Sequence, residues 1–428
     1  MKIKIKVLQI SNRFIIGGPS IILTILHSQM GLEFVSELLV GKKESHEQDA
    51  KFLLEKHGLS YEEVPSMNRK INPINDLKAF FEIKNFIQKY QPDIVHTHAA
   101  KPSVLGRLAA YICKVPVIIH TYHGHIFHDY FSKPVTFFII LFERFLAKFS
   151  TKIIAISEQQ KSELVNIYKI CSADKIVVIP LGLDLNPFYE NQTGKRIAFR
   201  KKFEITDHEI VIGIIGRLVS VKNHALFISA VSEVIKCTSK KIRIMIVGDG
   251  EEKNNMMSQL NMLNIPFNYY PENRLPEIVT FTSWITDMDE VYAGLDIVAL
   301  SSLNEGTPVT LIEGQAACKP IVTTNVGGVK DIVLENTTAF CTPSGNIKSF
   351  SNALLQLIEN DDLRIRMGNN GYEHVKAKFD KSRLIGDIEN LYKTLLKEKR
   401  TNLSGKSTKK NNEQSKIIFG HNSINNEK

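Results

Sequence analysis

Short runs rich in β-branched residues recur along this chain, and long segments separate them. The first half contains KVLQIS, SELLV, DIVHTH, PVIIHT, KIIAIS and KIVVIP, and the second half contains IVIGIIG, IRIMIVG, EIVTFT, DIVALSS and PIVTTN. The intervening segments are long enough for crossover helices, which is the pattern of a parallel sheet. A polar stretch around residue 190 interrupts the series, so the pattern predicts two α/β domains.

The length of 428 residues suits two domains of roughly 180 residues each. We predict a first Rossmann-like domain over residues 1–190 and a second over residues 191–375. A C-terminal helix is expected over residues 376–400, and a return of this helix to the first domain is one option. Residues 401–428 are polar and lack apolar content to bury, so a disordered tail is expected there.

Composition limits the environment and the partners. No run approaches the ~20 apolar residues of a membrane span, and the start, MKIKIKVLQI, is typical of a first strand and not of a signal peptide. Five scattered cysteines without metal-ligand spacing indicate reduced thiols, so a cytoplasmic location is expected. The net charge of +9 favours anionic partners, which include nucleotide phosphates, lipid headgroups and nucleic acid. No nucleic-acid recognition motif is present, so that third option is rejected.

Polar clusters follow several strands of the second half, where open α/β sheets bind ligands. The run GRLVSVK places Arg217 and Lys222 after the IVIGIIG strand, and these cations could bind phosphate oxygens and stabilise a departing diphosphate. The glycines of Gly248-Asp249-Gly250 let a strand turn sharply and a backbone approach a ligand closely, so all three residues are candidates for ligand binding. Solvated surface charge and an ordinary turn are the alternatives.

The run SSLNEGTPVTLIE, residues 301–313, is the most informative cluster. We predict that Thr307 caps a helix and that Pro308 occupies its first position, which leaves the amides of Val309 and Thr310 free for an anion. Glu305 on the loop and Glu313 in the helix could accept hydrogen bonds from sugar and ribose hydroxyls. The alternative is a loop carboxylate and a solvent-facing helix residue.

These motifs, together with the run that ends in KPIVTTNVGGVKDIV, resemble glycosyltransferase family 4 over nearly all of residues 1–395. The resemblance implies the GT-B architecture, two Rossmann-like domains with parallel sheets that face across a cleft. It implies that Glu305 contacts the donor sugar, Glu313 the ribose, and Arg217 with Lys222 the diphosphate. The sequence departs from the family pattern after the paired glycines, where Lys330 and Asp331 replace proline and glutamate.

The resemblance also implies the reaction. A retaining transferase would move a sugar from a nucleotide diphosphate sugar to a glycan or lipid-linked acceptor, and no metal or other cofactor is expected. UDP is the preferred donor nucleotide because it is frequent in the family. A UDP-sugar 2-epimerase of the same fold and a non-catalytic sugar-nucleotide-binding protein remain as alternatives.

The first half carries a glycine-rich loop and many histidines. Gly17 and Gly18 precede an apolar helical segment, and the resemblance places them near the donor diphosphate; a plain turn is the alternative. His123 resembles the family histidine beside the transferred sugar. His96 and His98 are expected to orient loops or to contact the acceptor, with a structural role preferred. The histidine spacings fit no ordinary zinc site, so a metal cluster is rejected.

Two further features have competing interpretations. Trp284 is the only tryptophan, and either core packing or base stacking explains it, with core packing preferred. The segment 135–149, VTFFIILFERFLAKF, is predicted to be a helix that is largely buried in the first domain. Its exposed part, together with the net positive charge, would allow a peripheral contact with the inner face of an anionic membrane.

Overall fold

The computed structural model describes residues 4–15, 17–44, 47, 49–68, 70–124, 133–272 and 277–420, with the backbone alone beyond Thr401. Nearly all of the described chain before that point lies in strands, helices and the short connections between them. Two parallel sheets organise it.

The first sheet uses every strand predicted in the first half of the chain. Its described strands are β1 Ile5–Ser11, β2 Phe34–Gly41, β3 Glu62–Val64, β4 Ile94–His98, β5 Val117–Tyr122, β6 Lys152–Ala155 and β7 Ile176–Val178. They pair in parallel in the order β3-β2-β1-β4-β5-β6-β7. The order reverses direction at β1, so the carboxyl ends of β1 and β4 flank a topological switch point, where such sheets bind ligands.

Helices cover this sheet. Those of the first half are α1 Gly18–Ser28, α2 Phe52–Glu55, α3 Pro73–Tyr90, α4 Ala100–Ile112, α5 Lys133–Ala147 and α6 Glu158–Ser162. Helix α3 shows how the sequence sets the bounds of a helix: the Asn72 side chain accepts from the amides of Ile74 and Asn75 at 3.1 Å, and the helix ends at Gln91 in the left-handed conformation. Short helical turns at Glu163–Ile167 and Ala173–Lys175 follow α6.

The second sheet has the same architecture. Its described strands are β8 Ile210–Ile215, β9 Ile242–Val247, β10 Phe267–Tyr269, β11 Val279–Phe281, β12 Ile297–Leu300, β13 Ile321–Thr324 and β14 Ala339–Thr342. They run parallel in the order β10-β11-β9-β8-β12-β13-β14. All six residues of the central strand β8 are buried, because helices cover both faces of the sheet.

The helices of the second half follow the same alternation with strands. They are α7 Asn186–Tyr189, α8 Gln192–Lys202, α9 His224–Cys237, α10 Lys253–Met262, α11 Met288–Gly294, α12 Val309–Ala316, α13 Ile347–Glu359, α14 Asp361–Phe379 and α15 Lys381–Gly420, with short helical turns at Ser220–Lys222 and Gly327–Asp331. The core of this half joins the sheet to α9 and α13, where Phe227 and Phe350 are fully buried against Ile246. The rings of these two phenylalanines meet edge to face.

The chain divides into two compact units. Unit 1 comprises Met1–Ala155, Lys161–Ile179 and Leu384–Lys428, and unit 2 comprises Ile156–Gln160 and Pro180–Arg383. The main division therefore falls at Pro180 and not around residue 190 as the polar stretch suggested. Helices α7 and α8, which the sequence placed at the boundary, pack on α11 and belong to unit 2.

Helix α15 returns to unit 1 and is longer than expected. Tyr392 of α15 is fully buried there, and its hydroxyl lies 2.6 Å from Nδ1 of His96. The backbone continues as a helix to Gly420, whereas the sequence predicted a disordered tail from residue 401. No proline interrupts the run from Lys381 to Gly420, so a helix that packs on unit 1 can extend through polar residues.

Candidate functional site

The loops after β8 and β12 are joined at the carboxyl edge of the second sheet. Nζ of Lys222 donates to Oε1 of Glu305 at 2.6 Å, and Oγ of Ser302 donates to the same oxygen at 2.6 Å. Oγ of Ser301 donates to the carbonyl of Lys222 at 2.9 Å. Both members of the ion pair are largely shielded from solvent, with 19% and 12% of their side chains exposed. The structure thus brings together two residues that the sequence assigned to different parts of a ligand.

Arg217 lies on the same turn as Lys222 but is exposed. Within the described part of the chain its guanidinium has no protein partner, so its charge is available to a ligand. The turn around it is fixed by its backbone: the amide of Leu218 donates to the carbonyl of Asp249 at 2.9 Å. The backbone of the turn is therefore fixed, while the exposed guanidinium of Arg217 can move and can bind an anion bidentately.

The glycines after β8 and β9 allow two backbones to touch. A Cβ on Gly248 would lie 1.9 Å from the carbonyl oxygen of Gly216, and a Cβ on Gly250 would lie 2.4 Å from that of Leu218. The carboxylate of Asp249 accepts from the amide of Gly250 at 2.8 Å and from Ser283 Oγ at 3.0 Å. Asp249 therefore holds three loops together, whereas the sequence proposed it as a donor-binding residue. Donor contacts from Gly248, Asp249 and Gly250 remain a prediction.

A second glycine pair supports the loop that carries Glu305. The amide of Gly328 donates to the carbonyl of Glu305 at 3.0 Å. A Cβ on Gly327 would lie 2.0 Å from that carbonyl oxygen, and one on Gly328 would lie 1.8 Å from the oxygen of Gly306. In the sequence these glycines stand out only as part of the family pattern. Their close backbone contact explains why glycine is needed there.

Helix α12 begins one residue later than predicted. Pro308 has ψ of 103° and is the residue before the helix, and no side chain caps the helix start. The predictions that Thr307 caps the helix and that Pro308 is its first residue are therefore wrong, because an extended Pro308 keeps both residues outside it. Val309 and Thr310 are the first helical residues, and their amides point out of the helix start. Within the described residues, the buried Oγ1 of Thr310 has no hydrogen-bond partner.

Glu313 lies one turn further along α12 and is only partly exposed. The hydroxyl of Tyr292 donates to its Oε2 at 2.9 Å. Burial raises the pKa of Glu313 to about 7, although the hydrogen bond from Tyr292 opposes this rise. Glu313 is thus not the solvent-facing carboxylate of the alternative interpretation. Its contact with a ribose remains a prediction.

Trp284 follows β11 and is 48% exposed. The preference for core packing was therefore wrong. Its neighbour Ser283 accepts an amide hydrogen bond from Gly248 and contacts Asp249, so Trp284 lies beside the loops of this carboxyl edge. An exposed indole at such an edge is available for stacking on a planar ligand.

The predicted glycine-rich loop of unit 1 does open a helix. Gly17 precedes α1, its carbonyl accepts from the amides of Ser20 and Ile21, and Gly18 is the first helical residue. The sequence assigned this loop to a diphosphate, and that contact remains a prediction. The loop belongs to unit 1, whereas the cations and carboxylates described above belong to unit 2.

Four histidines gather at the carboxyl ends of β4 and β5. We call this the histidine cluster, and it comprises His96, His98, His120 and His123. His96 is fully buried between the hydroxyls of Tyr392 and Thr121, each 2.6 Å from a ring nitrogen. Nδ1 of His120 lies 2.9 Å from the hydroxyl of Thr97. The preferred structural role of His96 is therefore consistent with its contacts.

His98 and His123 form a pair within the cluster. Nδ1 of His98 lies 2.9 Å from Nε2 of His123, and the two rings stack. Burial lowers the pKa of all four histidines, to about 3 for His96 and about 4 for His123, so they are neutral at pH 7. Within the described residues, Nε2 of His98 is buried without a partner. His125 and His128 lie outside the described residues, and no set of three His, Cys, Asp or Glu in the described part of the chain is arranged to hold a metal ion.

The chain has two Rossmann-like units, and the second carries cations, carboxylates and an uncapped helix start at its strand ends. Together these features define a nucleotide-binding transferase of the GT-B architecture. Two family models match the chain: "Glycosyltransferase Family 4" over residues 41–187 and "Glycosyl transferases group 1" over residues 195–374. Together they cover most of it, and the chain belongs to glycosyltransferase family 4.

Several bacterial proteins are similar to the chain. The UDP-Gal:alpha-D-GlcNAc-diphosphoundecaprenol alpha-1,3-galactosyltransferase of Escherichia coli is 29% identical over 77% of this chain and 82% of its own length. The capsular polysaccharide biosynthesis glycosyltransferase CapM of Staphylococcus aureus is 27% identical over 78% of this chain and 85% of its own length. Both are named as glycosyl-transferring enzymes, which agrees with the predicted class of enzyme.

Solved structures share the fold. Anabaena Alr3699/HepE in complex with UDP superimposes with a TM-score of 0.75 at 21% identity, over 91% of this chain and 100% of that chain. A glycosyltransferase from Rickettsia africae gives a TM-score of 0.75 at 22% identity, over 92% of this chain and 99% of its own. The predicted GT-B architecture is thereby confirmed.

Proposed function

We propose that this glycosyltransferase moves a sugar from a UDP-sugar to a glycan or lipid-linked acceptor during bacterial surface-polysaccharide assembly. The observation that carries the proposal is the joined edge of unit 2, where Arg217, Lys222 and the start of α12 present positive charge beside the carboxylate of Glu305. UDP is favoured because the similar Escherichia coli enzyme is named for UDP-Gal and the Anabaena structure holds UDP.

Each part of this edge has a distinct chemical task in the proposal. Arg217 and Lys222, with the amides of Val309 and Thr310, bind the diphosphate. Glu305 accepts hydrogen bonds from the donor sugar. Before the donor binds, Lys222 neutralises Glu305, so the exposed Arg217 supplies the uncompensated charge that attracts the diphosphate.

Two contacts complete the proposed donor site in unit 2. Glu313 contacts the ribose through Oε1, since Tyr292 donates its hydrogen bond to the other carboxylate oxygen, Oε2. Trp284 stacks on the uracil ring, because its indole is half exposed next to the loops that follow β9 and β11. Stacking of a base on an aromatic side chain contributes about 1–3 kcal/mol.

The proposed mechanism retains the configuration at the anomeric carbon and uses no metal. The acceptor hydroxyl attacks the anomeric carbon from the face that the diphosphate leaves. The bond to the diphosphate oxygen breaks, and that oxygen receives the proton of the hydroxyl. Arg217 and Lys222 stabilise the charge that develops on the leaving group, and a neutral His123 can donate a hydrogen bond to the sugar or accept one from it.

The acceptor and its location follow from the same proposal. The Escherichia coli relative is named for a diphosphoundecaprenol acceptor, which is lipid-linked. Within the described residues, no helix is long and apolar enough to cross a membrane. We therefore propose a peripheral enzyme at the cytoplasmic face of an anionic membrane, where nucleotide sugars and lipid-linked acceptors meet.

A panel of nucleotide sugars tests the proposal. Purified protein is incubated with each donor, with and without a diphosphoundecaprenol-linked sugar, and released UDP and products are measured. We expect UDP release that depends on the acceptor for one donor sugar. A change of the sugar with donor alone would support the 2-epimerase instead, and binding without turnover of any donor would support a non-catalytic protein. No feature of the described site favours either alternative.

A further inference from the structure

The outer surface of three neighbouring helices in unit 1 is unusually apolar. Helix α5 exposes six large apolar side chains by 45–70%: Val135, Phe137, Phe138, Leu141, Phe142 and Phe145. The sequence predicted that most of this helix would be buried, and that prediction was wrong. Only Glu143, Leu146 and Ala147 of α5 are fully buried, so the apolar side faces away from the core.

The apolar surface continues onto α4 and α3. Tyr111 and Ile112 at the end of α4 are 56% and 54% exposed, and the Tyr111 ring packs on Phe149, which in turn packs on Phe145. On α3, Ile74, Leu77 and Phe81 are 69%, 59% and 48% exposed. Because α4 packs against both α3 and α5, the three helices form one layer. We call its outer side the α3–α5 surface.

Lysines border this surface, and in the described part of the chain no carboxylate of its three helices lacks a partner. Six lysines lie on or beside the three helices: Lys78, Lys84, Lys89, Lys114, Lys133 and Lys148. The Nζ atom of Lys84 lies 5.9 Å from the centre of the Phe81 ring. Each carboxylate of the three helices has a partner: Asp76 pairs with Lys101, Glu82 accepts from Ser66, and Glu143 pairs with the buried Arg107.

We propose that the α3–α5 surface docks on an anionic lipid bilayer. Phenylalanine and leucine side chains insert at the boundary of the headgroups and the acyl chains, while the lysine ammonium groups reach the lipid phosphates. A protein partner fits less well, because lysine is depleted at protein–protein interfaces and acidic residues that would fix a partner are paired here. The positive charge of the α3–α5 surface therefore favours a bilayer over a protein partner.

The role of the α3–α5 surface in catalysis rests on the proposed function, and the position of the surface suits that function. The N-terminal ends of α4 and α5 follow β4 and β5, so they lie at the edge of the sheet that holds the histidine cluster. Phe137 and Phe138 are near the start of α5. A bilayer on this surface would hold lipid-linked acceptors close to His98 and His123. Binding to lipid itself requires no catalysis and is testable separately.

Vesicle co-sedimentation of the full chain tests the inference. The probes are phosphatidylcholine vesicles and vesicles with about one third phosphatidylglycerol, at low and high salt. We expect binding to the anionic vesicles, weaker binding to the neutral ones, and release at high salt. The variant with Phe138→Glu and Leu141→Glu should bind at least about 10-fold more weakly, since both side chains are meant to enter the bilayer.

Matched controls keep the result interpretable. Leu32→Glu alters an apolar side chain of unit 1 that is 92% exposed but lies on another surface, and it should bind vesicles like the parent. Lys133→Glu with Lys148→Glu should weaken binding to anionic vesicles more than Lys201→Glu with Lys241→Glu, which make the same charge change in unit 2. UDP binding should be unchanged in every variant, which separates a lipid defect from a failure of the donor site.

Two results would overturn the inference. Equal vesicle binding by the parent and by the Phe138→Glu, Leu141→Glu variant would show that lipid contacts another surface. A parent protein that ignores vesicles but forms a dimer, which the same substitutions convert to a monomer, would show that a second copy covers the helices.

Discussion

Polar side chains at the strand ends of unit 1 are neutral and paired with one another, whereas those of unit 2 are charged and partly open. Three members of the histidine cluster, His96, His98 and His120, are fully buried in unit 1, and burial holds the pKa values of all four below the usual range. In unit 2, Arg217 is exposed and the Lys222–Glu305 pair lies at the loop ends. The difference supports the proposal that unit 2 binds the diphosphate of the donor, because its charged side chains can pair with phosphate oxygens, whereas the neutral histidines of unit 1 cannot.

We expect the largest effect from a substitution at the charged strand ends of unit 2. Lys222→Ala removes a cation that stabilises the departing diphosphate, so kcat should fall on the order of 10²-fold. Because Glu305 loses its cation but keeps Ser302, the unfolding free energy should drop by only about 1–3 kcal/mol. Steady-state kinetics with thermal denaturation measure both quantities.

The control for that variant is Lys236→Ala, which removes an exposed lysine paired with Glu233 in the same unit. It should leave kcat unchanged and stability within about 0.5 kcal/mol. If Lys222→Ala retains the parent kcat, the assignment of Lys222 to the leaving group is wrong.

A substitution that displaces backbone in unit 2 tests whether the position of its charged side chains matters. The loop that carries Glu305 depends on a close contact with a glycine. Gly328→Ala would place a Cβ 1.8 Å from the oxygen of Gly306, so the loop must move. Since a displacement of about 1 Å can reduce a rate by 10²-fold, we expect a loss of kcat/KM between about 10-fold and 10²-fold.

Gly386→Ala in α15 is the matched control, since a Cβ there meets no atom within 4 Å. It should keep full activity and gain slight stability from the better helix former. Full activity in Gly328→Ala would show that the loop tolerates the shift and that its position is not critical.

The opposite protonation states of the two units predict different responses to acid. Below about pH 6.5 the unfolded chain takes up protons at histidines that stay neutral in the folded chain, so unit 1 loses stability as the pH falls. In unit 2, Glu313 stays protonated up to a pKa of about 7, although it ionises near 4.5 when unfolded. The stability that Glu313 contributes is thus complete below pH 4.5 and is lost as the pH rises to 7.

Hydrogen exchange at about pH 5 and pH 7.5 measures this difference. Unit 1 should lose protection first at the lower pH. Unit 2 also has His224 and His374 with lowered pKa values, but Glu313 opposes them. Glu313→Gln should remove that opposition and make the stability of unit 2 more sensitive to acid. Earlier opening of unit 2 in the parent would contradict the assigned protonation states.

The smallest effect concerns the end of α15. Leu396 is the last buried apolar side chain that the structure describes, and it precedes the polar segment. Removal of residues 401–428 should therefore leave the melting temperature and turnover of the parent intact. A fall of more than about 4 °C would show that the segment docks on the rest of the chain.

The long apolar strands and the polar loops after them could be predicted from the sequence, because each strand is buried on both faces and needs a continuous β-branched run. Three short strands, Glu62–Val64, Phe267–Tyr269 and Ala339–Thr342, were missed. They span three or four residues each and pair at sheet edges, where the sequence carries little pattern.

The candidate site, too, could be predicted from the sequence only in part. Arg217, Lys222 and Glu305 were identifiable because they follow strands, but the contact between Lys222 and Glu305 depends on the packing of two distant loops. The start of α12 was misplaced because Thr-Pro fits a cap as well as an extended segment. The exposure of Trp284 and of α5 also depends on which side of an element meets the core, and an apolar sequence alone does not settle it.

Equilibrium binding of UDP tests the central claim, that the cations of unit 2 hold the donor diphosphate. Calorimetry compares the parent with the variant that carries Arg217→Ala and Lys222→Ala, and uridine serves as the ligand without phosphates. We expect the variant to bind UDP at least about 10²-fold more weakly than the parent does, and to bind uridine with the affinity of the parent. Equal affinity of the two proteins for UDP would contradict that claim.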